Sequence, residues 1–161
     1  KPFTLKAKGQ GAITYTSGNK KVVTVGKTNG KVTIKSCGKA VITIKAAGNN
    51  SYKAATKKVT VTVAPKKTTL SSVKSSAKKT LTVKWKRDKK ADGYQIQYSA
   101  SKKFKGAKTV DIKKNRTTST KIKKNFKGGK KYYVRVRAYK KSGKSKICGS
   151  YSKAKSVKVK K

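Results

Sequence analysis

Three carboxylates and no imidazole limit what this chain can do at a reacting centre. The acids are Asp88, Asp92 and Asp111, and neither His nor Glu occurs in 161 residues. General acid–base catalysis needs a side chain that titrates near working pH, usually His or a tuned carboxyl. Asp88 and Asp92 lie close together, but between two strand-like runs Asp ordinarily serves the turn itself. The spacing of a Ser nucleophile and a Lys base, Ser-x-x-Lys, occurs at Ser17 to Lys20, Ser71 to Lys74 and Ser99 to Lys102. With Ser and Lys this abundant, chance supplies it. The segment GKTNGK at 26–31 approaches a phosphate-binding loop. It is one residue short, lacks Ser or Thr after Lys31 and precedes a strand-like run instead of a helix, so it reads as a hairpin turn. Cys37 and Cys148 stand far apart with no CxxC, which leaves no common zinc-ligand pattern. No catalytic residue, metal site or cofactor is expected, and the chain reads as a non-enzyme.

Charge points to a different kind of chemistry. Lys plus Arg number 47 against 3 acids, a formal net charge of +44, which implies self-repulsion and strong attraction to polyanions. Only Arg87, Arg116, Arg135 and Arg137 carry the guanidinium fork that grips phosphate or sulfate in a bidentate way. The field is therefore expected to be diffuse. No apolar run approaches the roughly 20 residues that span a bilayer, and KPFTLKAK at the start has neither an apolar signal core nor a small-residue cleavage site. The chain is expected to be a soluble, monomeric fragment that begins inside a longer protein.

The elements that must position these residues are strands. KVTIK at 31–35, AVITIK at 40–45 and KKVTVTV at 57–63 put β-branched residues at alternate positions with Lys or Thr between them, the pattern of half-buried strands. Gly-containing breaks at Ser17-Gly18-Asn19, Thr28-Asn29-Gly30, Cys37-Gly38 and Gly48-Asn49-Asn50 recur about every ten residues, as in a sandwich. Lys at outward positions also guards sheet edges against pairing with other chains. Pro65 cannot donate to a ladder, so a domain boundary is placed there: residues 1–64, a linker at 65–68, and residues 69–161. Aromatic residues concentrate after the boundary, with Trp85, Tyr94, Tyr98, Phe104, Phe126, Tyr132, Tyr133, Tyr139 and Tyr151 against Phe3, Tyr15 and Tyr52 before it. The core type changes.

Two resemblances follow. Residues 12–63, with Gly30-Lys31-Val32-Thr33, Gly38-Lys39-Ala40-Val41-Ile42-Thr43 and the loop residue Tyr52, look like a bacterial Ig-like (group 2) domain with a shortened first strand. Residues 68–161 resemble a fibronectin type III domain. Leu81, Val83 and Trp85 match the strand carrying that family's core Trp, and Gly93-Tyr94-Gln95-Ile96-Gln97-Tyr98 matches the next strand. Phe126-Lys127-Gly128-Gly129-Lys130-Lys131-Tyr132 fits its tyrosine corner, with Phe126 where Leu is usual. The resemblances imply an all-β chain of two tandem immunoglobulin-like sandwiches, as in Lys-rich surface proteins of Gram-positive bacteria. Such folds host many unrelated functions and say little about ligand.

Two constellations remain. Because strands 40–46 and 57–63 form a hairpin, Cys37 is placed at the end of the first domain from which the chain leaves. The up-and-down strand order of the second domain returns a loop at 141–149, with Cys148, to its own starting end. An interdomain Cys37–Cys148 disulfide is one reading, fitting an exported protein, and two thiols kept reduced is the other. On the strand 132–139, Tyr132, Val134, Val136 and Ala138 are expected inward, leaving Tyr133, Arg135, Arg137 and Tyr139 as an outward stripe. The stripe either grips sulfated or uronic-acid sugars, teichoic acid or nucleic acid by charge and stacking, or covers a sheet face with apolar stems.

The function expected from these features is a structural and adhesive module at the bacterial cell surface or secreted. Its cations would bind glycosaminoglycan, teichoic acid or mucin with little specificity, through counterion release. The alternative is a spacer or accessory region of a secreted carbohydrate-active enzyme or peptidase. Nucleic acid is expected as a non-specific partner only, since no reading helix or RNA-binding aromatic signature is present.

Overall fold

The computed structural model describes residues 2–161. The chain divides between Val63 and Ala64 into two compact units, each an all-β sandwich, and among the described residues no segment forms a helix. The segment 65–68, expected as a linker, falls within the second unit. Thr68 Oγ1 donates to the Lys86 carbonyl at 2.8 Å, which binds this segment to its own domain.

The first unit contains β1 (Phe3–Thr4), β2 (Ile13–Ser17), β3 (Val23–Val25), β4 (Lys31–Ile34), β5 (Gly38–Ala46) and β6 (Ala55–Val63). They form two antiparallel three-stranded sheets, β1-β4-β3 and β2-β5-β6. Alternation in β5 sends Ala40, Ile42 and Ile44 inward onto Tyr15, Val22, Val23 and Val32, while Lys39 and Lys45 stay in solvent. Of the edge strand β6, only Val59, Val61 and Val63 reach this core, and they do so partly buried. Lys57 and Lys58 occupy its exposed start, the expected protection of an open edge. GKTNGK is the β3–β4 hairpin turn, with Gly30 at φ 64 and the Asn29 side chain accepting from the Lys31 amide at 3.0 Å. A left-handed residue there favours Gly.

The second unit comprises β7 (Leu70–Lys74), β8 (Thr80–Trp85), β9 (Gly93–Ser99), β10 (Lys108–Ile112), β11 (Ser119–Lys123), β12 (Lys131–Ser142), β13 (Ser145–Cys148) and β14 (Lys155–Lys158). One sheet is β11-β8-β7; the other runs β10-β9-β12-β13, with β14 also pairing β12. Leu81, Val83 and Trp85 from one sheet meet Tyr94, Ile96, Val134 and Val136 from the other in a closed core. Trp85 packs edge-on against Tyr94 with ring centroids 5.4 Å apart, a geometry favoured by the ring quadrupoles. The tyrosine corner is present: the Lys127 amide donates to the Tyr132 hydroxyl at 3.2 Å.

Candidate functional site

The outward face of β9 and β12 holds the expected stripe, and register decides its composition. Arg135 pairs across the sheet with Gln97, and Arg137 with Gln95. Each guanidinium Nε donates to the glutamine oxygen opposite, Arg135 to Gln97 at 2.7 Å and Arg137 to Gln95 at 2.9 Å. The Arg135 guanidinium carbon lies 4.0 Å from the Phe104 ring centroid and 4.1 Å from that of Tyr151, which is also 4.4 Å from Arg137. Phe104, Arg135, Tyr151 and Arg137 thus make a ladder in which ring and guanidinium alternate. Cation–π contacts of this kind contribute about 0.5–2 kcal/mol each according to exposure.

Two of the expected stripe residues, on the same face by register, lie outside the ladder. Tyr139 is only 1% exposed, so it is not an outward ring open to a ligand. Its cross-strand partner is Gly93, and its ring lies across the space a side chain would fill there: a Cβ on Gly93 would stand 2.6 Å from the Tyr139 hydroxyl. That hydroxyl donates to the Ile112 carbonyl at 3.4 Å, and the Lys146 ammonium covers the ring at 4.8 Å. Tyr133 is half-buried and outside the ladder. Phe104 and Tyr151, which complete it, come from connections distant in sequence. Alternation along one strand gives no signal for them.

A polar network adjoins the ladder. Gln95 accepts from Arg137 and donates to Asp111 at 2.9 Å, and Asp111 pairs with Lys146 at 2.5 Å. Burial raises the Asp111 carboxyl, but the Lys146 and Gln95 hydrogen bonds outweigh it and hold the group below its ordinary value. Asp92 behaves alike. Its burial is outweighed by Lys140, paired at 2.7 Å, and by the Lys141 amide. Asp92 therefore ties the β8–β9 connection to β12 instead of serving only its own turn, the role that Asp88 does keep by accepting from the Lys90 amide at 2.9 Å. All three carboxylates are engaged in structural contacts.

Of the two readings of Cys37 and Cys148, a disulfide or two thiols, the structure carries the thiols. Cys37 is 6% exposed. Cys148 is a β13 strand residue paired with Tyr139, not a loop residue, and its sulfur donates to Gln95 Oε1 at 3.6 Å. Its place in the ladder's network accounts for it. Among the described residues no group of His, Cys, Asp or Glu is arranged to hold a metal ion, and no helix is long and apolar enough to cross a membrane.

Comparison with known proteins follows the same division. Residues 2–48 match the family of the intimin immunoglobulin-like domain, and residues 63–148 match the fibronectin type III domain. No curated protein matches the chain. Among solved structures, the crystal structure of chicken CNTN1 FN1-FN3 domains is similar, with a TM-score of 0.53 and 22% identity over 99% of this chain and 62% of that one. The likeness concerns fold, and the chain spans less than two thirds of that structure. The expected order, a bacterial Ig-like domain followed by a fibronectin type III domain, is what the two family matches give. With more than half of its length matched by that second model, the chain belongs to the fibronectin type III domain family.

Proposed function

We propose that this chain is a non-catalytic module of an extracellular bacterial protein, at the cell surface or secreted, whose cationic surface adheres to anionic polymers. The observation that carries the reading is the state of the carboxylates. Asp92 and Asp111 are paired with Lys140 and Lys146 and Asp88 is bound in its turn, while 47 Lys and Arg give a net charge of +44. Counter-charge for that field must come from outside the molecule. The matches to an intimin Ig-like domain and a fibronectin type III domain support the extracellular setting.

The Arg135–Arg137 ladder serves this reading as a support. Ring faces and Nε donors are spent within the domain, so contact with polymer falls chiefly to the lysines. Binding would then proceed by counterion release, with affinity falling linearly in log–log form as salt rises. The test is binding of the chain to heparin, teichoic acid and duplex DNA across a salt series. Steep release of all three is expected; failure to bind any of them at low salt refutes the proposal.

A further inference from the structure

In the second domain the end of β9, the starts of β10 and β12 and the connection at 124–126 line a hollow of about 310 Å³. Tyr98, Phe126 and Tyr132 form its floor, with Lys108, Lys124 and Asn125 among its other lining residues. The volume is at the small end of the roughly 300–1,000 Å³ range of ligand sites. The rings pack edge to face, Tyr98 to Phe126 at 5.2 Å and Phe126 to Tyr132 at 4.9 Å, so this part of the lining is preformed.

Tyr98 is the informative residue. It is 94% buried, as its 6% exposure shows, yet its hydroxyl has no hydrogen-bond partner among the described residues, unlike those of Tyr94, which both donates and accepts, and Tyr132, which accepts. Nor is it among the fully enclosed polar atoms left without a partner, where Trp85 Nε1 stands. The oxygen therefore opens on the hollow it lines. A hydroxyl that is not fully enclosed and makes no bond among the described residues is free to donate to an acceptor that enters the hollow, and the lysines lining it favour an anionic one. Burial pushes the hydroxyl's pKa up, so it stays a donor at neutral pH.

A second hollow adjoins the first. It shares Lys124 and Asn125 and is lined further by Lys78, Lys79 and Lys123. Together they form a track with an aromatic end that carries a free hydroxyl and an end where lysines predominate. A nucleobase needs an exposed ring face on which to stack, and Tyr98 and Phe126, at 6% and 3% exposure, offer edges. An acidic sugar can be held by donors and cations alone, which the Tyr98 hydroxyl and the lysines supply, and repeated carboxylates or sulfates suit the lysine track.

We propose that this track is a binding site for an acidic polysaccharide, with one uronate or sulfated sugar held at the Tyr98 hydroxyl and its neighbours along Lys124 and Lys79. The proposal rests on the polyanion reading above and gives it a site. The experiment compares wild type, Tyr98→Phe and Lys124→Gln for binding to a heparin-derived hexasaccharide and to duplex DNA at one fixed salt concentration, with thermal unfolding of each variant. Because the Tyr98 hydroxyl makes no bond within the protein, the Phe variant keeps its fold. It is expected to bind the hexasaccharide about tenfold more weakly, the loss appropriate to a hydrogen bond to a charged group, with DNA binding unchanged. Lys124→Gln should weaken the hexasaccharide more than DNA. Equal hexasaccharide binding by Tyr98→Phe and wild type overturns the site while leaving the diffuse field intact. Absence of wild-type binding to both polymers overturns the field and the site together.

Discussion

Replacing Gly93 by Ala tests the packing that hides Tyr139. A Cβ at position 93 would stand 2.2 Å from the Ile112 carbonyl oxygen of the neighbouring strand and 2.7 Å from Tyr139 Cζ. Neither is the end of a flexible chain, so strand β10 or the Tyr139 ring must move. Overpacking of this kind costs about 1–3 kcal/mol. Displacing the ring also removes its hydrogen bond to Ile112, about 1 kcal/mol. Ala restricts the unfolded chain more than Gly, which returns about 0.4–1 kcal/mol. The net expectation is a loss of roughly 1–3.5 kcal/mol, or about 4–28 °C in Tm for a domain of this size. Urea denaturation followed by far-UV circular dichroism, with the m-value checked for constancy, measures it. Gly106→Ala is the control: its φ is +60 but nothing lies within 4 Å of the added carbon, so only left-handed strain of about 1–2 kcal/mol applies. A Gly93→Ala variant within about 0.5 kcal/mol of wild type, the range of an ordinary surface change, would refute the close approach and with it the account of why Tyr139 is buried.

Two further outcomes are expected. Arg135→Lys removes the Nε bond to Gln97 and the planar stack between Phe104 and Tyr151, so it should cost about 1–2 kcal/mol although charge is kept; limited proteolysis should also reach the Phe104 connection sooner, and unchanged stability and cleavage would sink the ladder as a support. Stability should be flat from pH 7 to 5, because the chain has no His or Glu. Asp92 and Asp111 sit below their ordinary pKa in the folded state, so their contribution is fully present above the unfolded carboxylate value of about 3.9 and is lost as pH falls through the lower folded values. Calorimetry from pH 7 to 2 should show the decline only below about pH 4, lessened in Asp92→Asn, and a fall between pH 7 and 5 would contradict it.

Strand identity was written locally, in two-residue alternation. Ile42, Leu81, Val83, Val134 and Val136 are core residues at 0% exposure because each sits at an inward position of a repeating pattern that needs no knowledge of its neighbours. The tyrosine corner is legible for the same reason, since Lys127 and Tyr132 are five residues apart. The excess of cations is a matter of composition and independent of fold.

Tertiary structure decided what depends on which strands lie side by side. Alternation puts Tyr139 on the same face of β12 as Arg135 and Arg137, but only pairing with Gly93 gives its ring a depression to fill and buries it. Arg135 and Arg137 were visible as a pair, whereas the rings that enclose them, Phe104 and Tyr151, come from connections whose return to the sheet has no period to read. Up-and-down strand order placed Cys148 in a loop at 141–149; the segment is instead a β12–β13 hairpin that puts the thiol beside Gln95. The Tyr98 hydroxyl is the clearest case. Sequence makes it one more inward aromatic, and only the meeting of β9, β10, β12 and the 124–126 connection leaves it lining a hollow with lysines, because a cavity is a property of several chain segments at once.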